Sequence, residues 1–416
     1  MKVALIDNMN NNFFAMTRYF RDLGIDAELY KLINRPSEHF MPESDTFRDV
    51  VKLSWINDFP VKIDGENWIF FRKKIIVEEF KKYDIIITCG LSSAFLEKAG
   101  LKSDMIIPYG MDLYEKPFKQ LKPSFSFDFI KSIIHHSQSQ SQSKAYKKAR
   151  VVISDPSYPL YGNALKKLGI QAYNFGIPML YNREKVDVQE NQKIWGYLDN
   201  YDFILFNHSR QYWATNHAFL EDFEKYGGSK RNDKLIRAFA KFVENTKFKK
   251  PILVMFEYGK DVDASKKLIE ELGIGSFIKW MPTMNRKNIM YGLRKATFSS
   301  NAFRENKTDI GGVCYESLAS GVPHINNCIE ALQDKSHKFY QSPMIHALSE
   351  DDILNILNDY ENNPNKYLII KKASKAWFDK NLGIGLAKKY VEFLNLLVND
   401  KRLTNSSPVV KEFLEN

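Results

Sequence analysis

Short apolar runs alternate along this chain with stretches whose apolar positions recur every three or four residues. In the first half the runs are VALID (3–7), DIIIT (84–88), MIIP (105–108) and RVVIS (150–154). In the second they are DFILF (202–206), PILVMF (251–256), SFIKW (276–280) and TFSS (297–300). Short strands separated by helical patterns predict parallel-sheet α/β units. The helical stretches carry their own signals. NDKLIRAFAKFV places Leu235, Ile236, Phe239, Phe242 and Val243 on one face, with Asn232 or Asp233 as the N-cap. DASKKLIEELGI repeats the device with Leu268, Ile269 and Leu272, closed by Gly273. In TDIGGVCYESLASGVPHI (308–325), Gly311 and Gly312 open a short helix over 313–320. Gly321 stands where a left-handed residue ends it, and Pro323 forbids continuation.

The pattern changes near 182–200 (NREKVDVQENQKIWGYLDN), which is polar, charged and without long periodicity, and reads as a linker between two doubly wound halves. The expected organisation is a first domain over 1–185, a second over 200–375, a helix over 376–399 that packs back toward the first domain and a polar tail over 400–416. The low-complexity SQSQSQS (137–143) is expected as a surface loop or an exposed helix face. A chain of 416 residues accommodates two domains, since single cores rarely grow past roughly 250–300 residues.

Composition narrows the classes. At 44% apolar and 14% aromatic residues, global disorder is excluded. The formal charge of +10, from 60 basic and 50 acidic residues, suits an anionic partner: a phosphorylated substrate, an anionic membrane surface or nucleic acid. It equally serves solubility. Cys89, Cys314 and Cys328 have no paired spacing, which argues against a disulfide framework and a zinc site and fits a reducing compartment. The opening MKVALID turns polar too quickly for a signal peptide, and no run approaches the ~18 apolar residues of a membrane span. A cytoplasmic or peripheral protein is expected.

In open parallel sheets, ligands collect outside the carboxyl ends of the strands. Arg210 follows DFILF, Lys230 stands just before the Asn232/Asp233 helix start, and the Gly311–Gly312 pair with Glu316 follows TFSS and a loop. A diphosphate needs a bidentate Arg fork and a compact Lys charge beside a helix N-terminus. A carboxylate nearby suits a ribose, because it accepts hydrogen bonds from two hydroxyls. Each residue also has an ordinary reading: solvated surface cations, and a satisfied first-turn glutamate.

In this order the residues resemble the C-terminal domain of GT-B glycosyltransferases, in particular the retaining family four (glycosyl transferases group 1). The matches are Arg210, Lys230 followed by Asp233-Lys-Leu-Ile-Arg-Ala-Phe239, the segment Gly273-Ile-Gly-Ser-Phe-Ile-Lys-Trp-Met-Pro282, and Glu316-Ser-Leu-Ala-Ser-Gly-Val-Pro-His-Ile325. The resemblance implies an α/β fold of two Rossmann-like doubly wound domains facing across a cleft. It implies that Glu316 holds the donor ribose, that Gly311 and Gly312 let backbone amides approach the diphosphate or the sugar, and that the segment ending at Met281 flanks the nucleobase. The first glutamate of the family's pair would fall at Thr308, with Asp309 adjacent, so the identity of the donor sugar is open at that point. In the first half, Asn8-Met-Asn-Asn-Asn12 stands where relatives have a glycine-rich turn, which brings Asn11 to the donor, because Asn tolerates a left-handed backbone. IIPYGMDL (106–113) resembles an H-G-x-D segment, with Tyr109 in place of His, and this implies that Tyr109 and Asp112 lie near the transferred sugar.

The implied activity is a retaining glycosyltransferase. It would move a sugar from a nucleotide diphosphate sugar to a glycan, lipid-linked or protein acceptor in surface polysaccharide or glycoconjugate synthesis. No metal and no cofactor is expected, because Arg210 and Lys230 would offset the charge on the leaving diphosphate. Contact with an anionic membrane is part of the expectation; nucleic acid is not, since KAYKKAR (144–150) and KKASKAW (371–377) are short. The alternatives are a nucleotide-sugar epimerase on the same fold and a catalytically inactive glycan- or nucleic-acid-binding protein. Three histidine or tryptophan positions are open in role: Trp213 and His217, in a long insert between Arg210 and Lys230, are expected to pack locally, and His324 to be a buried structural residue.

Overall fold

The computed structural model describes residues 1–32, 41–63, 65–121, 127–214, 229–305 and 310–415. The chain forms two compact units. The first comprises Met1–Ser44, Arg48–Tyr181 and Ile384–Asn416; the second comprises Asp45–Phe47 and Asn182–Gly383.

Each unit is built on a six-stranded sheet with parallel pairing throughout. In the first, β1 (Lys2–Ile6), β2 (Asp26–Lys31), β3 (Ile56–Asp58), β4 (Ile85–Thr88), β5 (Met105–Ile106) and β6 (Val151–Val152) lie in the order β3-β2-β1-β4-β5-β6. In the second, β7 (Phe203–Asn207), β8 (Pro251–Phe256), β9 (Ile278–Met281), β10 (Phe298–Ser300), β11 (His324–Asn326) and β12 (Ile345–His346) lie in the order β12-β11-β10-β7-β8-β9. The continuous apolar runs follow from this architecture. Every residue of β4 and of β8 is buried, because helices cover both faces of a parallel sheet. In each unit the chain adds strands to one side of its first strand and then crosses to the other. The order therefore reverses between β1 and β4 and between β7 and β10, and a doubly wound sheet opens a crevice at such switch points.

Three segments differ from expectation. SQSQSQS lies inside the 22-residue helix Phe127–Lys148, and part of it is not exposed: Gln138, Ser139 and Gln142 are buried, Gln142 on the Gly90 and Asp112 carbonyls. The stretch 182–200 carries the helix Val188–Trp195. Trp195 is fully buried, and its indole N–H donates to the Asn288 carbonyl at 2.8 Å. Residues 400–416 include the helix Pro408–Glu415, which sinks Val410 and Leu414 into the first unit's core beside Leu394 and Leu397 of the helix Ile384–Asn399. One buried cation binds carbonyls at and just beyond the end of that preceding helix. Arg150 donates to the carbonyls of Leu397 (2.7 Å), Asp400 (2.7 Å) and Leu403 (3.1 Å) and pairs with Asp104 at 3.1 Å. Among the described residues no helix is long and apolar enough to cross a membrane.

Candidate functional site

The second unit's switch point is organised by asparagines. Asn207, the last residue of β7, donates to Ser300 Oγ at the end of β10 at 3.0 Å. Ser209 Oγ donates to Asn207 Oδ1 at 3.1 Å, and Asn232 Nδ2 donates to Ser209 Oγ at 3.1 Å. Asn232 Oδ1 also accepts the Tyr212 N–H at 3.1 Å. Asn232 thus spends its side chain on the 207–212 loop and does not cap the helix Asn232–Asn245. The N-cap is Arg231, in a left-handed conformation (φ 51°), whose guanidinium forks onto Asp233 through two bonds of 3.0 Å. Lys230 joins the same loop, its N–H donating to the Tyr212 carbonyl at 2.6 Å. The fold therefore brings the segments of Arg210 and Lys230 together at the carboxyl end of β7. The two side chains are half-buried.

The helix Gly312–Ser320 begins at the same end of the sheet. Gly321 ends it at φ 70°, as the sequence predicts. Its N-cap Gly311 offers no side-chain cap. Among the described residues, a Cβ on Gly311 would meet nothing within 4 Å, and one on Gly312 only Glu316 Oε1 at 4.0 Å. Glu316 is buried one turn in. Its Oε2 lies 2.7 Å from His208 Nε2, and its Oε1 accepts from Arg286 Nε at 2.8 Å. Arg286 in turn faces the fully buried Asp45 at 3.5 Å. Burial alone would raise the Glu316 carboxyl, but the His208 hydrogen bond and the Arg286 charge outweigh it and hold it below the usual carboxylate range. Desolvation likewise opposes the Arg286 charge, and Asp45 and Glu316 overcome it. An ionised carboxylate has about four lone-pair sites. His208 and Arg286 occupy two, which leaves acceptor capacity for a diol.

Sequence reasoning missed His208 and Arg286. His208 stands directly after a predicted strand, two residues before Arg210, and Arg286 opens the helix Arg286–Lys295 after the Gly273–Pro282 segment. Nothing local in either position points to Glu316, from which they are 108 and 30 residues away. Met281 ends β9 and packs in the apolar cluster with Phe256 and Leu293, its sulfur accepting from Tyr197 Oη at 3.5 Å. Trp213 packs locally, its indole donating to Ser265 Oγ at 2.8 Å. His324 is fully buried beside Ser299 Oγ (2.9 Å), and burial pushes its imidazole down to about 3. His217, Thr308 and Asp309 lie outside the described residues.

The first unit's switch point has a second polar cluster. Asp7, Asn10 and Asn11 adopt left-handed backbone (φ 78°, 51° and 59°) between β1 and the helix Asn12–Asp22, as the asparagine run predicts. Asn8 donates to Asn11 Oδ1 at 2.6 Å and accepts the Phe14 N–H at 2.9 Å. Asn11 Nδ2 donates to the Met41 carbonyl (3.0 Å) and Ser44 Oγ (2.9 Å). Opposite them, Gly90 follows β4 at φ 64°. A Cβ there would sit 2.2 Å from Asp7 Oδ2 and 3.1 Å from Tyr109 Oη, so a larger residue would displace the Asp7 carboxylate as well as strain the backbone. Asp112 closes the cluster, accepting the backbone N–H groups of Gly90 (2.8 Å), Gly110 (2.9 Å) and Tyr109 (3.1 Å). Burial pushes its carboxyl up to about 6 against the pull of these donors. Gln142 donates to the Gly90 carbonyl (2.9 Å) and the Asp112 carbonyl (3.2 Å). Tyr109 and Asp112 therefore meet at the end of β4.

No family model matches the sequence, and none of the curated proteins compared with it matches. Solved structures do match. HepE of Anabaena in complex with UDP aligns at a TM-score of 0.56 and 14% identity over 95% of this chain and 100% of that one. A glycosyltransferase of Rickettsia africae aligns at 0.59 and 13% identity, over 96% of this chain and 99% of that one. The UDP-GlcNAc 2-epimerase of Neisseria meningitidis, bound to UDP-GlcNAc, aligns at 0.53 and 12% identity, over 95% and 100%. At such identities the likeness is one of fold. The chain has the GT-B fold, two six-stranded parallel sheets with flanking helices, as the sequence resemblance implied.

Proposed function

We propose that this chain is a retaining glycosyltransferase that takes its sugar from a UDP-sugar bound in the second unit. One observation carries the reading: Glu316, buried at the β7/β10 switch point, is held ionised by His208 and Arg286 with two lone-pair sites left for the ribose hydroxyls. UDP is the nucleotide because the structural neighbours include HepE with UDP and with UDP-glucose. Arg210, Lys230 and the N–H groups at Gly312 offset the charge that develops on the departing diphosphate, without a metal or other cofactor. The acceptor hydroxyl attacks from the face the diphosphate leaves, so no enzyme nucleophile is needed. Within the first unit, the Asp112 carboxyl, raised by burial to about 6, is a group that can orient a hydroxyl and take up a proton.

The acceptor is a glycan or lipid-linked saccharide of the cell surface, met at the cytoplasmic face of an anionic membrane. The first unit supports this. On the helix Gly65–Phe70, the segment after it and the helix Phe127–Lys148, Phe70 (82% exposed), Ile75 and Ile133 stand among the exposed cations Arg72, Lys73, Lys74 and Lys131. Such a mixture suits an anionic lipid surface.

A second reading, a UDP-sugar epimerase, is favoured by one finding: a UDP-GlcNAc 2-epimerase shares the fold over 95% of this chain and 100% of that one. Anomeric proton NMR with UDP-glucose and UDP-GlcNAc separates the two. UDP release with an α-linked product supports the transferase; a C2 epimer supports the second reading. No change in either donor, with UDP still bound, refutes catalysis by this chain on both substrates.

A further inference from the structure

Arg210 leaves the end of β7 on a loop, and the neighbouring strand's exit holds that loop in place. β8 lies beside β7 and runs parallel to it, so the two carboxyl ends are adjacent. The helix Val262–Glu271 follows β8 with Asp261 as its N-cap. An aspartate there ordinarily accepts from the first-turn N–H groups of its own helix. That cap is not made. The buried carboxylate reaches across to the other loop, where Oδ2 accepts the Trp213 N–H at 2.6 Å and the Ala214 N–H at 3.0 Å.

The same two segments meet again through their backbones. The Gln211 N–H donates to the Tyr258 carbonyl at 2.6 Å, and the Gln211 carbonyl accepts the Asp261 N–H at 3.1 Å. Gly259 permits this approach. At φ 114°, a Cβ on it would lie 2.3 Å from the Gln211 carbonyl oxygen and 2.5 Å from the Gln211 nitrogen, and neither backbone atom can turn aside. Ser265 completes the hold, its Oγ accepting from the Trp213 indole at 2.8 Å and donating to Gln211 Oε1 at 3.0 Å. Residues 211, 213 and 214 are thereby tied on both sides of Tyr212, which is itself buried. The Arg210 guanidinium lies over the Tyr212 ring, 5.8 Å from its centroid. The cation therefore rests on an aromatic face whose backbone is fixed from the β8 side.

We propose that Asp261 is a positioning residue of the donor site, acting through the 211–214 loop to set the Arg210 guanidinium for the donor diphosphate. The inference rests on the UDP-sugar reading above, and its test separates the two. UDP affinity of the full chain is measured by calorimetry, and uridine affinity by ligand-observed NMR. The chains compared are the wild type, Asp261→Ala, Asp261→Asn, Arg210→Ala and the double variant Arg210→Ala/Asp261→Ala, each at a temperature where circular dichroism shows it folded. Uridine keeps the base and ribose and lacks the diphosphate. Asp261→Ala is expected to weaken UDP by roughly threefold to tenfold and to leave uridine within about twofold of wild type. Asp261→Asn keeps a carbonyl oxygen with two lone pairs for the two backbone N–H groups, and is expected to restore UDP to within about twofold of wild type. The double variant is expected to bind UDP as Arg210→Ala does, because the aspartate then has no guanidinium to position. Should Asp261→Ala fail to fold, Gly259→Ala forces the same segments apart and takes its place, with the same expectations. Wild-type UDP affinity in the alanine variant, a uridine loss equal to the UDP loss, or a loss that adds in full to that of Arg210→Ala overturns the proposal. Failure of the donor reading is recorded elsewhere, as a folded wild-type chain that does not bind UDP.

Discussion

Replacing Glu316 by Ala tests two roles at once, and the structure separates them. The carboxylate makes two charge-assisted contacts, 2.7 Å to His208 and 2.8 Å to Arg286. Its removal strands a guanidinium and an imidazole whose Nδ1 already lacks a hydrogen-bond partner. Breaking a buried ion pair from one side costs about 3–5 kcal/mol. Arg286 keeps Asp45 at 3.5 Å and a side chain 20% exposed, so the lower end applies, about 3 kcal/mol. For a unit of roughly two hundred residues that lowers Tm by about 6–12 °C, read by differential scanning calorimetry. Glu316→Gln keeps the volume and one acceptor, and is expected to recover part of the loss. Below the transition of either variant, calorimetric titration with UDP reads the second role. Two lost ribose bonds to a charged acceptor weaken affinity by roughly tenfold or more. A Tm within about 2 °C of wild type would refute the charge chain. Unchanged UDP affinity in a folded variant would refute the ribose assignment.

The other expectations concern acid and the buried cation. Asp112 has a folded pKa raised to about 6 from 3.8, so its contribution is fully present below pH 3.8 and is lost as pH rises through 6. Chemical denaturation should show the first unit losing up to about 3 kcal/mol across that window, and Asp112→Asn should flatten the slope. His324 runs the other way. Its folded pKa falls to about 3 from 6.5, so its contribution is present above 6.5 and is lost as pH falls toward 3. His324→Val should remove that acid sensitivity of the second unit, measured as Tm against pH. Arg150→Met should lower the first unit's stability by about 3 kcal/mol or more, seen as an earlier urea midpoint, because the carbonyls of Leu397, Asp400 and Leu403 and the Asp104 carboxylate lose one buried donor. A midpoint shift below about a third of that would show that water replaces the guanidinium.

Where the physics is local, the sequence was readable. PILVMF is β8 to the residue, Gly321 ends its helix in the left-handed conformation, and the asparagine run after β1 holds two left-handed residues. β3, β11 and β12 span two or three residues, too few for any periodicity, and β2 (DAELYK) mixes charge with apolar positions. Buried polar groups were the harder class, because their partners are distant in sequence. Gln142 looks like low-complexity surface until Gly90 and Asp112, 52 and 30 residues earlier, supply its acceptors. Arg210, Lys230 and Glu316 were legible as an order of residue types on consecutive units; the grip of His208, Arg286 and Asp45 on Glu316 was not. A carboxylate's neighbours across a sheet are set by topology, and only the switch point between β7 and β10 brings these four side chains to one place.

The most direct measurement is calorimetric titration of the wild-type chain with UDP, GDP, CMP, TDP and ADP, repeated on Arg210→Ala and Glu316→Gln. UDP is expected to bind the wild type and to lose roughly tenfold or more in affinity in each variant. A folded wild-type chain that binds none of the five would contradict a nucleotide-sugar site in the second unit.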